Sequence, residues 1–155
     1  PDMLSEREGC SAVALEGNPR RVLIVGGATG DLRSLDTTEV LDLDTMTFSL
    51  GPTMRVARLG CAAVPLGGDS RRRCLVIGGT DGDGTHVNTT EVLDLETMEF
   101  TDGPAMLAER SGCAAVTDDA GDRIVVLGGY RTIKVEVLEA AAAQDKTRAA
   151  RRRRR

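Results

Sequence analysis

Three short signatures recur along this chain in the same order, with a period of 50 to 52 residues. Residues 37–54, TTEVLDLDTMTFSLGPTM, match residues 89–106, TTEVLDLETMEFTDGPAM, at 13 of 18 positions. RxGCxAV begins at Arg7, Arg58 and Arg110, and an apolar run ending in two glycines fills 21–27, 74–79 and 123–129. Self-similarity of this length marks a repeat architecture, in which one unit cannot bury its apolar face alone and stacks on its neighbours.

Each repeat divides into four short apolar runs separated by turn residues. In the first they cover roughly 10–15, 21–26, 38–43 and 46–50, with separators Glu16-Gly17-Asn18-Pro19, Gly27 to Asp36, Asp44-Thr45 and Gly51-Pro52. Runs of five or six residues rich in Val, Ile, Leu and Thr, bounded by Gly, Pro, Asn and Asp, predict strands. They are too short for ordinary helices. Apolar residues stand at consecutive positions, as in VLIV and LVI, the pattern of a sheet covered on both faces. A four-stranded unit of about 50 residues with both faces covered is a propeller blade.

The order RxGCxAV, apolar run plus Gly-Gly, TEVLDLxT, then Phe and GPxM resembles the kelch repeat and covers residues 1–139. The resemblance implies an all-β fold, a partial β-propeller of about three four-stranded antiparallel blades, roughly 7–50, 58–102 and 110–139, with the first strand of each lining a central channel. An Ala/Arg-rich tail, 140–155, follows, expected to be helical or disordered. Two positions depart from the family pattern: Leu41, Leu93 and Leu138 stand where Tyr is usual, and Phe48 and Phe100 where Trp is usual. Smaller side chains predict a weaker core unless both partners change together. The third repeat stops after Glu139 without a fourth strand, and Glu136 follows its double glycine by seven residues where Glu39 and Glu91 follow theirs by twelve. Open ends imply a piece of a larger propeller, a ring closed by self-association with another copy, or a truncated coding sequence.

The formal net charge of −4 conceals an asymmetry: residues 148–155 hold six of the 20 basic groups, leaving −10 on residues 1–147. So acidic a body disfavours nucleic acid, whose binding needs phosphate neutralisation; only the Arg tail, a candidate nucleic-acid or nuclear-targeting patch, points the other way. No apolar run approaches 18 residues, so no membrane partner is expected. No secretory leader is visible, and the chain opens on Pro1, so its natural start is expected upstream. Cys10, Cys61 and Cys113 share one repeat position, and Cys74 precedes an apolar strand; neither CxxC nor Cys–His spacing supports zinc. Free, buried thiols suit a reducing intracellular compartment, read as cytoplasmic, or nuclear if the Arg tail targets. The sequon Asn88-Thr89-Thr90 carries no weight without a leader.

Function is read from the repeated and the variable positions. Kelch substrate adaptors use arginines at the place of Arg7, Arg58 and Arg110 to bind acidic peptide motifs, so the resemblance implies a partner-binding role for these three. Guanidinium forks suit carboxylates. The competing reading has each arginine bonding turn carbonyls or a neighbouring blade's acid, such as Glu39 or Glu91. The loops after the double glycines differ far more than the strands, and loops on a rigid scaffold gather recognition residues. Arg33, His86, Tyr130 and Arg131 are the further candidates; ordinary solvated turns are the alternative. GGATG at 26–30 imitates a phosphate-cradling turn but lacks a following helix. Asp81-Gly82-Asp83-Gly84 imitates a calcium loop, but His86 and Val92 stand where Gly and Glu are required. Kelch-like copper oxidases use a cross-linked Tyr and two His, and this chain has only Tyr130 and His86. The expectation is therefore a protein–protein interaction scaffold, not an enzyme, without cofactor, binding a protein or peptide partner. The alternative is a fragment of a propeller enzyme whose catalytic residues lie in missing blades.

Overall fold

The computed structural model describes residues 1–15, 20–67, 73–118 and 121–140. It is all-β. The first sheet comprises β1 (Ser11–Leu15), β2 (Arg21–Val25), β3 (Thr38–Asp42) and β4 (Thr47–Leu50). The second comprises β5 (Ala62–Leu66), β6 (Arg73–Ile77), β7 (Thr90–Asp94) and β8 (Glu99–Asp102), and the third β9 (Ala114–Thr117), β10 (Arg123–Leu127) and β11 (Val135–Glu139). Each sheet is an antiparallel meander in chain order, with four, four and three strands. The third blade thus has no fourth strand among the described residues, as its sequence implies. The turn expected at 16–19 and, apart from Ala140, the tail at 140–155 lie outside the described residues.

The hairpin between the third and fourth strands is encoded in DLDTM and DLETM. Asp42 Oδ1 accepts the N–H groups of Asp44 and Thr45, both at 2.9 Å. Asp94 Oδ1 does the same for Glu96 and Thr97, at 3.0 and 3.2 Å. Such Asx turns bend the chain without needing proline. The N–H of Thr45, with that of Asp44, outweighs a small burial effect and holds the Asp42 carboxyl below its ordinary pKa.

Two apolar cores lie between the sheets. The first joins Leu23, Val25 and Val40 to Cys74, Val76 and Leu93; the second joins Leu75, Ile77 and Val92 to Ile124, Val126 and Leu138. Consecutive residues of β6 therefore enter opposite cores, which explains the unbroken apolar runs. Leu93, in the place of the family's Tyr, is fully buried and sits opposite Phe100, which packs on the same core. Both members of this cross-strand pair differ from the family pattern together.

Backbone hydrogen bonds stitch the blades. Gly27 N–H donates to the Arg58 carbonyl (2.9 Å) and Gly79 N–H to the Arg110 carbonyl (2.7 Å). Nearer the first strands, Gly60 N–H donates to Gly9 (3.0 Å) and Gly112 N–H to Gly60 (2.7 Å). The first glycine of the pair must be glycine for two reasons. Gly26 and Gly78 have φ of +61° and +62°, and a Cβ on either would collide with the carbonyl of Arg58 or Arg110 in the next blade.

Candidate functional site

The ends of β2, β6 and β10, the starts of β1, β5 and β9, and the loops after the double glycines lie at one end of the sheets, where all seven candidate residues gather. The sequence places them there through the repeat: RxGC ends a connection from the preceding blade, and Gly-Gly ends the second strand. The two segments meet as short bridges, Glu8 with Ala28 and Leu59 with Thr80.

The three repeated arginines turn inward. Arg58 is wholly buried, and all five guanidinium hydrogens are engaged: Nε and Nη2 with Glu91 at 3.1 Å, Nη1 with the carbonyls of Gly78 (2.6 Å) and Thr89 (3.1 Å), Nη2 with Thr89 Oγ1 (3.0 Å). Arg7 repeats the pattern with Glu39, Gly26 and Thr37. The carboxylates are capped in turn by backbone N–H groups, Leu4 and Ser5 on Glu39, Arg55 and Val56 on Glu91. Burial works to raise the Glu39 pKa, but hydrogen bonds from Ser5, Arg7 and Leu4, with the Arg7 charge, outweigh it and hold it below the ordinary value. The turn carbonyls are bonded as the competing reading has it, but each acid belongs to the arginine's own blade, on its third strand, and not to a neighbouring blade. These groups tie the connection from the preceding blade onto the edge of the sheet, and their charges are spent inside it rather than presented to a partner.

The third copy is looser. Arg110 Nη1 keeps the carbonyls of Gly128 (2.6 Å) and Lys134 (2.9 Å), but Nη2 stands 3.6 Å from Glu136, and Arg110 Nε and Glu136 Oε2 are buried without a hydrogen bond. The shortened loop puts Lys134 where Thr37 and Thr89 stand, so the hydroxyl that completes the other two networks is missing.

The variable loops carry the exposed groups. His86 and Tyr130, from different blades, approach with ring centroids 5.0 Å apart at 52°, and the Arg131 guanidinium lies 5.2 Å from the Tyr130 ring centroid. Three of the sequence candidates thus form one cluster. Tyr130 is 58% exposed, and Arg131 holds a left-handed φ of +55°. Thr80, which the sequence reading missed, fixes the cluster from below: its hydroxyl bonds His86 Nδ1 at 3.0 Å and Ser111 Oγ of the next blade at 2.9 Å. The signal was available, since Ala28, Thr80 and Tyr130 occupy one repeat position, as do Glu8, Leu59 and Ser111, and both vary within an invariant frame. Arg33 stands apart, paired with Asp31 of its own loop at 3.1 Å on the surface. Asp31 also accepts the Thr29 hydroxyl, which, ahead of a slight burial effect and the Arg33 charge, lowers its pKa.

Other chemistry is sparse among the described residues. Asp81 Oδ1 accepts the N–H groups of Asp83 (3.0 Å) and Thr85 (2.9 Å), the role of a turn residue. No group of three or more His, Cys, Asp or Glu could hold a metal among the described residues. The four cysteines are free. Burial pushes the Cys61 and Cys74 thiols up to about 12, far from the thiolate that nucleophilic chemistry requires. Among the described residues no helix is long and apolar enough to cross a membrane.

A search of curated proteins returned no match. A scan against family models matches the Kelch motif over residues 70–107, which run from the start of the second strand of the second blade to just past its fourth. The same signatures are spaced through the first and third sheets, so the motif matched in the second blade is consistent with a kelch-repeat array of propeller-type blades.

Proposed function

We propose that the chain is a protein-interaction module that captures a peptide or protein segment on the loop cluster of His86, Tyr130 and Arg131. The observation that carries this reading is the convergence of the variable loops of two blades on one exposed aromatic and cationic group, held by the Thr80–Ser111 link. Kelch repeats support the general role. Tyr and Arg are the side chains over-represented at interface hot spots. Arg131 offers a cation to an acidic side chain of the partner, while Tyr130 and His86 offer ring faces to an apolar or aromatic neighbour. Asp81 and Asp83 border the cluster in sequence, so attraction of an acidic partner is local to Arg131 and Lys134. A binding role fits this surface group better than catalysis, which would need an acid–base pair in a water-excluded site.

The test is selection of peptides from a displayed library on the immobilised chain, followed by affinity measurement on variants. Tyr130→Ala and Arg131→Ala should each weaken binding about tenfold or more while leaving the melting temperature unchanged. Arg58→Ala should instead destabilise the fold by about 3–5 kcal/mol, because it strands the buried Glu91 carboxylate. Selected peptides that bind the loop variants as tightly as the parent would refute the site.

A further inference from the structure

The two end faces of the blade array are chemically the two halves of the interface that the chain already forms twice. We infer that the exposed face of the third blade docks the outer face of the first blade of a second copy, head to tail, and that two copies close into one ring. The third blade's outer face is Val116, Val125, Leu127 and Val137, the repeat equivalents of Val64, Leu75, Ile77 and Val92. Val64 and Val92 are 4% and 0% exposed beneath the next blade, whereas Val116 and Val137 are 53% and 54% exposed. Four aliphatic side chains at the same register thus continue an interface whose geometry is established within the chain.

The other half lies at the first blade. Ala12, Val22, Ile24 and Leu41 are the equivalents of Ala63, Cys74, Val76 and Leu93, which the second blade presents to the first, and of Ala115, Ile124, Val126 and Leu138 in the third. Met3 supports the same conclusion. Pro1-Asp2-Met3 occupies the repeat position of Pro52-Thr53-Met54 and Pro104-Ala105-Met106, and Leu4 caps Glu39 as Arg55 caps Glu91. Met54 and Met106 are 3% exposed, plugging the seams between blades, while Met3 is 41% exposed with the same seam open before it.

The backbone repeats this pattern. Gly60 and Gly112 donate to the preceding blade, and Gly27 and Gly79 to the following one. The space beside the third blade's glycines is correspondingly open. A Cβ on Gly78 would meet the Arg110 carbonyl, but among the described residues the nearest neighbour of one on Gly128 would be Thr132 O at 3.6 Å, and one on Gly112 would have none within 4 Å. Gly128 and Gly129 nevertheless keep the left-handed φ of +62° and +119° that receives a following blade. The Arg7 carbonyl of a second copy is the group that fits there. A second copy is the favoured occupant because this chain itself carries the complementary face, residue for residue. Such a heterologous contact either closes or propagates, and two copies supply six blades, within the range over which propeller rings close.

Light scattering on the size-fractionated chain, across a wide range of concentration, tests this directly. The expected mass is twice that of the 16.4 kDa chain. Val137→Asp at one face and Ala12→Asp at the other, both at exposed positions, should each give a folded monomer by circular dichroism. An equimolar mixture of the two should associate again, since one intact seam remains between them. Should Val137→Asp fail to fold, Val116→Asp serves in its place. A parent chain that stays monomeric at every concentration overturns the inference. So does a dimer broken by Val137→Asp but untouched by Ala12→Asp, which would mean like face on like face, and so do open assemblies larger than two.

Discussion

Glu39 shows how one carboxylate can decide the fate of a seam. It closes the buried Arg7 charge at 2.8 Å and collects the N–H groups of Leu4 and Ser5, so one side chain gathers three residues of the connection entering the first blade. Its pKa is lower folded than unfolded, where a glutamate titrates near 4.3. The stability it contributes is therefore complete above that value and is lost as pH falls through the folded pKa. Glu39→Gln cannot take on a charge at any pH, so it is destabilised at neutrality. The gap between parent and variant, measured by denaturant melts, should hold steady from pH 7 to about pH 5 and narrow towards pH 3. A gap that stays constant to pH 3 would mean that the charge of Glu39 contributes nothing. The direction of the arginines was not legible from sequence for a related reason. A guanidinium two residues before a turn glycine can fork onto a ligand's carboxylate or its own blade's with the same chemistry, and only burial distinguishes them.

At the scale of strands and turns the sequence was far more telling. Three copies of one pattern test each other, so the boundaries of β2, β3, β6 and β7 follow from the runs that end in Gly-Gly and begin with TEV. What the pattern leaves out is the partner of each element. The double glycine marks a turn in any copy, yet its first member has work to do only where a blade follows. Gly78→Ala must adopt a left-handed backbone, costing about 1–2 kcal/mol, and must also push away the Arg110 carbonyl, adding about 1–3 kcal/mol of overpacking. Gly128→Ala carries the backbone term alone within one chain. Chemical denaturation of dilute protein should place Gly78→Ala well below Gly128→Ala in stability. Equal losses would show that the seam yields freely around an added methyl group. The loop cluster falls between these cases: its members stand at variable positions and could be singled out, but their convergence depends on neighbouring blades bringing Thr80 and Ser111 within 2.9 Å.

Across the whole molecule, stability follows from how many neighbours a blade has, since each interface adds to the blades' own stability. The second blade is covered on both faces: Leu75, Val76, Ile77, Val92 and Leu93 are all fully buried. The third is covered on one, its last strand alternating between exposed and buried residues, and its arginine network is incomplete. Amide hydrogen exchange should therefore be slowest in β6 and β7 and fastest in β9 and β11, with the first blade between them, because opening an end blade breaks one seam and opening the middle one breaks two. Uniform protection over all three sheets would mean that the array opens as one unit. The same experiment repeated at rising protein concentration probes the ends of the array. If the first blade of another copy covers Val116 and Val137, exchange in β9 and β11 must slow with concentration while β6 and β7 stay as they were, since binding stabilises only the surfaces it buries.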